Sequence, residues 1–218
     1  MSSAMVHLTC AKLYDPDAPT LFYTGNIIPD LLYSREEKDV THFRHLPPEQ
    51  RMEALLRFAE GLNLSDPLEK GVLLHLFLDL HWDKAGYEAY RHLHGEEPGW
   101  FVNYRQEIFL ASAYLYHHTP WAKELFFAMN RTFLPTEKTY PCGITRDGAQ
   151  AFVSGTWYRL LNGREAVSGA FPPDFVEAFA KDVEISFEGH DVIISDNYFD
   201  ITSTAPIKLN LTVTSDFI

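Results

Sequence analysis

Residues 71–84, GVLLHLFLDLHWDK, form one of the most apolar runs of the chain and set His75 and Asp79 four residues apart within it. On a helix, a separation of four residues is one turn of rise and a net rotation of about 40°, so both side chains project from the same face. Polar groups are costly in such surroundings unless they are paired. The pair is either a hydrogen-bonded core feature or one half of a metal site, and the residues upstream favour the second interpretation.

Composition indicates a globular chain with one substantial core. Nearly half of the 218 residues are apolar, and 30 acidic residues face 18 basic ones, for a formal charge of −12. Nucleic acid is therefore not the expected partner, because phosphate backbones require a concentrated positive surface. A phosphoester substrate is compatible with this charge, since bound divalent cations can invert the local field.

Neither the cysteines nor the N-terminal residues suggest an export route. Cys10 and Cys142 lack the spacing of a disulfide framework or a zinc knuckle, and we expect buried, inert thiols. The first residues contain no basic segment followed by an apolar one, and no run is long enough to cross a bilayer. We therefore expect a cytoplasmic protein without a transmembrane segment.

The pattern along the chain predicts a mainly α-helical fold with a small C-terminal β-rich segment. Helices are expected from Ser2 or Ser3 to Tyr14, from Pro48 to about Gly61 and from Pro67 through the apolar run. Further helices are expected over about 100–117, 120–133 and 146–161, with a shorter one after Pro173. The stretch YSREEKDVTHFRHL is expected to be a polar loop. After residue 182, VEISFEG, HDVIIS and IKLNLTVT alternate in the manner of strands.

The prediction for domain organisation is a single domain in two parts. Residues 1–134 form the helical metal-binding core, and residues 135–218 form a helical extension and β-rich tail that pack on it. The linker-like stretch between the parts, LPTEKTYPCGITRDG, is too short to establish independent domains.

Candidate metal ligands precede and include the HxxxD pair. Imidazole and carboxylate are the usual ligands where a zinc-like ion must stay reactive. Such groups occur at the edges of, or within, apolar segments that could converge in a helical bundle. They are His7, Asp30, His42, His75 and Asp79.

The order of these segments resembles the zinc-dependent phospholipase C family. The resemblance is carried by residues 25–30, GNIIPD, then by residues 41–43, THF, and finally by residues 75–79, HLFLD. It covers roughly residues 5–95. It implies a multi-helix bundle that holds one to three zinc ions and hydrolyses phosphodiesters.

The resemblance also implies roles for individual residues. Asp30, His42, His75 and Asp79 would form the best-formed metal site, while Asp79 would bridge to a second metal bound by His7. Secreted members supply a further ligand from a mature N-terminal tryptophan, which this sequence lacks. The His7 site is therefore expected to be incomplete, or to be completed by water or another side chain.

Three further features of the sequence are candidate additions to the site. The family pattern has a later HxxxE pair, and the only one after Asp79 is His92 with Glu96, which is as readily explained as a solvated helix end. Asp83 lies one further helical turn after Asp79, on the same face as His75 and Asp79. It could be a ligand, a partner of a ligand or a surface carboxylate. Glu107 could face the site or pair with a basic residue.

The expected activity is hydrolysis of a small-molecule or lipid phosphoester by metal-activated water, with Asp30 as the candidate proton acceptor. A non-catalytic helical metal-binding or structural domain is the alternative. An HD-type phosphohydrolase is a third possibility, but the only His-Asp dipeptide, His190-Asp191, falls in the β-like tail.

Overall fold

The computed structural model describes residues 3–31, 34–187 and 207–211 of the chain. It is mainly helical, as the sequence predicts. None of the described helices combines the length and the apolar composition that a membrane crossing requires.

The helices run in chain order as follows. They are α1 (Ala4–Tyr14), α2 (Thr20–Gly25), α3 (Arg35–Thr41), α4 (Pro48–Glu60), α5 (Pro67–Trp82), α6 (Ala89–His94), α7 (Trp100–His118), α8 (Ala122–Arg131), α9 (Arg146–Leu161) and α10 (Pro173–Asp182). Short 3-10 turns cover Ile28–Leu31 and Pro141–Gly143, and a π-helical turn, Asp83–Glu88, joins α5 to α6.

Helix α5 is the central element of the core. Asp66 caps its first turn by accepting a hydrogen bond from the Leu68 main-chain N–H, and Pro67 occupies the first helical position, where its missing N–H costs nothing. Almost every residue from Leu68 to Trp82 is buried, so the helix is covered on all sides. The HxxxD pair is thus held in the most enclosed helix of the fold.

Helices α2 and α5 approach so closely that glycine is required on both. A Cβ atom added at Gly25 would lie 2.1 Å from the Leu68 carbonyl oxygen, and one at Gly71 would lie 2.0 Å from the Phe22 carbonyl oxygen. Only a residue without a Cβ permits such backbone contact. The close approach fixes the residues after α2 against the face of α5 that carries His75.

One prediction about the helices is wrong. The stretch expected to be a polar loop contains α3, which begins with a capping box in which the Ser34 hydroxyl accepts from the Glu37 N–H and the Glu37 carboxylate accepts from the Ser34 N–H. No residue of α3 is buried. The helix is stabilised by its cap rather than by an apolar face, so hydrophobic periodicity could not reveal it.

The region after residue 135 packs on the helical core through aromatic side chains. Trp82 contacts three rings on or near α10, with centroid distances of 5.3 Å to Phe171, 5.9 Å to Phe175 and 5.0 Å to Phe179. A single cluster of buried residues includes members from both parts of the chain.

The described part of the C-terminal tail contains two short strands. Val183–Phe187 (β1) pairs in parallel with Ile207–Leu211 (β2), with Val183 opposite Ile207. The segment HDVIIS and the His190-Asp191 dipeptide lie outside the described residues, so the β-rich tail as a whole stays a prediction.

Candidate metal centre

The structure brings the five predicted ligands together. Two groups of side chains have ligand atoms within 4.8 Å of one another, namely His7, His75 and Asp79, and Asp30, His42 and His75. They come from α1, the 3-10 turn after α2, the C-terminal cap of α3, and α5. His75 belongs to both groups and is fully buried.

Main-chain carbonyls orient two of the imidazoles. The Nδ1 atom of His42 lies 2.9 Å from the Lys38 carbonyl oxygen, and Nδ1 of His75 lies 2.9 Å from the Asn26 carbonyl oxygen. A carbonyl can only accept, so each Nδ1 carries the proton and each neutral ring has its lone pair on Nε2. This arrangement is the usual outer support of a metal-binding histidine.

The two Nε2 atoms face each other at 3.1 Å. Burial lowers the pKa of His42 and lowers that of His75 to about 3, so both rings are neutral near pH 7. Two neutral rings in these tautomers cannot hydrogen bond to each other through Nε2, because neither nitrogen carries a proton there. Their lone pairs converge on one point, which is where a cation would bind.

Both carboxylates adjoin this point. His42 Nε2 lies 3.4 Å from Asp79 Oδ2 and 3.9 Å from Asp30 Oδ1, and the latter oxygen is buried without a hydrogen-bond partner among the described residues. Two imidazoles and two carboxylates are a donor set that suits zinc and similar divalent ions. The residues present therefore fit the ion that the resemblance implies.

Asp79 turns its two oxygens to different neighbours. Oδ1 lies 3.3 Å from His7 Nε2, while Oδ2 faces His42. The His7 ring also stacks on the His75 ring, with centroids 4.0 Å apart. A carboxylate placed in this way can serve two cations, one on each oxygen.

Positive side chains keep both carboxylates ionised. Burial alone would raise the pKa of Asp79, but the positive charges around it, Arg44 among them, hold that pKa well below its usual value. Burial also opposes ionisation of Asp30, yet the groups around it, the Lys38 ammonium among them, together lower its pKa. The Lys38 ammonium lies 3.5 Å from Asp30 Oδ1.

Arg44 is the main component of the site that the sequence did not reveal. Its guanidinium donates to Asp79 Oδ2 at 2.9 Å and to both oxygens of Asp83 at 2.9 Å. Arg51 lies 3.6 Å from Asp83 as well. Asp83 is thus an outer partner of the site through Arg44, one of the three roles considered for it.

Asn26 is the second residue that sequence reasoning missed. Besides its carbonyl contact to His75, its side-chain amide can donate to the His7 carbonyl oxygen at 2.9 Å and accept from the His75 main-chain N–H at 3.2 Å. It joins α1, α2 and α5 behind the ligands. The sequence feature that could have indicated Asn26 is its position within GNIIPD, four residues before Asp30.

The remaining candidates lie away from the ligands. His92 and Glu96 are exposed on the surface. Glu107 accepts from the Ser168 hydroxyl at 2.5 Å and from the Ala170 N–H at 3.2 Å, so it holds the loop before α10.

A cavity of about 240 Å³ opens beside the ligands. His7, Asp30 and Lys38 line one side, and α7 and α9 contribute Tyr104, Arg105 and Arg159. Asp30 is the candidate ligand best placed to meet a bound molecule, because its side chain is 16% exposed whereas those of His42 and Asp79 are 1% and 2% exposed.

Comparisons with protein-family models, with curated proteins and with solved structures find no match to this chain.

Proposed function

We propose that the protein is a metal-dependent hydrolase of phosphoesters, in particular phosphodiesters. The observation that carries the proposal is the convergence of the His42 and His75 lone pairs at 3.1 Å beside two ionised carboxylates. Two nitrogen ligands on one tetrahedral zinc ion lie about 3.3 Å apart, given metal–nitrogen distances of about 2.05 Å. The imidazoles thus already have nearly the spacing that an ion requires.

The proposed ligands are His42, His75, Asp30 and Asp79 for a first ion. His7 and the Oδ1 atom of Asp79 would serve a second ion, in agreement with the resemblance to the zinc-dependent phospholipase C family. A bound ion would acidify a water molecule and polarise a phosphoryl oxygen.

The residues around the ligands have roles that suit phosphoester hydrolysis. Asp30, which is ionised and has a side chain that is 16% exposed, is the proposed ligand best placed to accept a proton. Lys38 and Arg105 line the same cavity and would attract and orient an anionic phosphoryl group. The buried histidines stay neutral, so they would remain ligands rather than compete for that proton.

Metal analysis tests the first half of the proposal. Protein purified without chelator is expected to contain at least one equivalent of a divalent transition metal, measured by plasma mass spectrometry. His75→Ala and Asp79→Ala are expected to lose it, whereas His45→Ala, which changes an exposed histidine near the site, should keep it. Circular dichroism would establish that the variants are folded. Full metal content in both ligand variants would exclude this centre.

Assays of ester hydrolysis test the second half of the proposal, which is catalysis. A panel of phosphomonoesters, phosphodiesters and phosphocholine lipids, assayed with added zinc, is expected to show metal-dependent cleavage of a diester. Asp30→Asn should reduce turnover more than it reduces metal content, because it removes the proposed proton acceptor.

One observation favours a non-catalytic alternative. Arg44 already places a positive charge at 2.9 Å from Asp79 Oδ2, so the carboxylate has an internal cation whether or not an ion binds. A structural metal-binding domain would then hold its ion in a closed site without exchangeable water. Stoichiometric metal together with no turnover of any ester in the panel would favour this second function.

A further inference from the structure

A groove lined by basic side chains adjoins the metal centre and is not explained by metal binding. Its volume is about 670 Å³, and it shares Lys38, Tyr104 and Arg105 with the cavity beside the ligands. We call it the cationic groove. Its basic residues are Arg35, Lys38, Arg44, Arg51, Arg91 and Arg105.

The positive charge of the groove contrasts with the negative net charge of the whole chain. The groove contains six of the 18 lysine and arginine residues but only three of the 30 acidic residues, namely Asp39, Asp83 and Glu88. On a protein with a formal charge of −12, such a groove is a local reversal of sign. A positive cleft in an otherwise negative surface focuses its field on anions.

Part of this charge is not neutralised by the acidic residues in the groove. Asp83 is engaged by Arg44 and Arg51, and Asp39 lies 3.5 Å from Arg35. Arg91 and Arg105 are exposed, and neither forms an ion pair within the part of the chain that the structure describes. Exposed guanidinium groups that form no ion pair suit bidentate binding of phosphate or carboxylate, because they are planar and carry paired N–H donors.

We propose that the substrate carries a second anionic group besides the phosphoryl group that reacts, and that this second group binds in the cationic groove between Arg91 and Arg105. The inference rests on the proposed hydrolase function. The reacting phosphoryl group lies at the ligands, and the remainder of the molecule extends past Lys38 and Arg105 into the groove. The exposed ring of Phe101 provides an apolar wall along this path.

The same charges disfavour a substrate with a cationic head group. Tyr87, Phe101 and Tyr104 could otherwise suggest an aromatic site for a quaternary ammonium group. Here the surrounding guanidinium groups would repel that ligand, since like charges in a confined cleft are unfavourable. Phosphocholine is therefore the matched negative probe.

Calorimetric titration of the metal-free protein tests the groove separately from the metal centre. The probes are inorganic pyrophosphate, inorganic phosphate and phosphocholine at low ionic strength. Pyrophosphate is expected to bind at least about tenfold more tightly than phosphocholine. The double variant Arg91→Gln/Arg105→Gln is expected to weaken pyrophosphate binding by at least about tenfold, because it removes two charge-assisted contacts.

A matched double variant removes the same charge elsewhere. Arg131→Gln/Lys181→Gln changes two exposed cations outside the groove and should bind pyrophosphate like the unmodified protein. Equal affinity for pyrophosphate and phosphocholine, or unchanged binding in the groove variant, would overturn the inference.

Metal content distinguishes failure of the inference from failure of the proposed function. The groove variant is expected to keep its metal, because Arg91 and Arg105 are not ligands. If the unmodified protein binds pyrophosphate but no metal, the hydrolase proposal and the substrate assignment both fail. If it binds metal but does not prefer pyrophosphate, only the groove assignment fails.

Discussion

Gly71 and Phe22 approach so closely that a Cβ atom on the glycine would lie 2.0 Å from the phenylalanine carbonyl oxygen. The contact lies one helical turn before His75, on the same side of α5. It also lies next to Asn26, whose carbonyl oxygen receives the His75 Nδ1 proton. Packing of the two helices and orientation of a proposed ligand thus depend on the same glycine.

We expect Gly71→Ala to lower the free energy of unfolding by at least about 2 kcal/mol, because main-chain atoms must move to admit the methyl group. Chemical denaturation measures this loss, and metal content should fall with it as Asn26 moves away from His75. Gly155→Ala is the matched control, since a Cβ there meets nothing within 4 Å. That helical substitution should raise stability by about 0.5–1 kcal/mol. Equal effects of the two substitutions would contradict the close approach.

Arg44 is expected to contribute strongly to stability. Replacement by Gln removes a cationic partner from each of two buried carboxylates, Asp79 and Asp83, and the loss of one member of a buried pair costs about 3–5 kcal/mol. Urea denaturation in the presence of chelator measures the cost. As a control, Arg57→Gln breaks an exposed pair with Glu53 and should change stability by less than about 0.5 kcal/mol. If Arg44→Gln lowered the free energy of unfolding by less than about 1 kcal/mol, the ion pairs around Asp79 would contribute little to stability.

Acid should destabilise the metal-free protein through histidines that are buried in neutral form. Burial lowers the pKa of His81 to about 4 and that of His75 to about 3, against 6.5 for a solvated histidine. Between about pH 6.5 and pH 4 the unfolded chain binds protons that the folded chain excludes, so stability falls as the pH decreases. Each such group contributes up to about 1.4 kcal/mol per pH unit in that range.

His81 offers the cleaner test of this effect, because it is not among the proposed ligands. His81→Phe should reduce the slope of unfolding free energy against pH below pH 6, and it retains a ring against Phe77, whose centroid lies 4.4 Å away. His45→Gln, at an exposed position, should leave the slope unchanged. An unaltered slope in the His81 variant would mean that His81 takes up a proton as readily in the folded protein as in the unfolded chain.

Both thiols should be unreactive in the folded protein. Burial raises the pKa of Cys10 to about 12 and that of Cys142 to about 12, so little thiolate forms at pH 8. Ellman's reagent is expected to detect two thiols only after denaturation. The Cys142→Ser variant should then yield one. Rapid modification of the folded protein would contradict the raised pKa values of these thiols.

The sequence was a reliable guide where local chemistry sets the boundaries of an element. Asp66 and Pro67 begin α5, and Pro48 begins α4, because caps and N-terminal prolines act through their immediate neighbours. The helix α3 was missed because it buries no residue, although Ser34 and Glu37 form a capping box that can be recognised in sequence.

The site was only partly predictable for a different reason. Residue type, order and a family resemblance indicate the candidate ligands, but their convergence depends on the packing of separate helices, which only the structure shows. Arg44 pairs with residues 35 and 39 positions away, and arginines in polar stretches are ordinarily solvated. Nothing local marks an arginine that is directed inward.

The lack of buried residues in α3 has a consequence for ion exchange at the proposed metal centre. His42 caps this helix, and its ring is held by the carbonyl oxygen of Lys38 within it, so this proposed ligand is attached to a helix that buries none of its own residues. Segments without buried apolar contacts open locally at low free-energy cost, far below that of global unfolding. We therefore expect an ion to enter and leave through brief opening of α3, with a residence time set by that opening. Amide hydrogen exchange in residues 35–42 should slow on metal binding, while exchange in α5 stays unchanged.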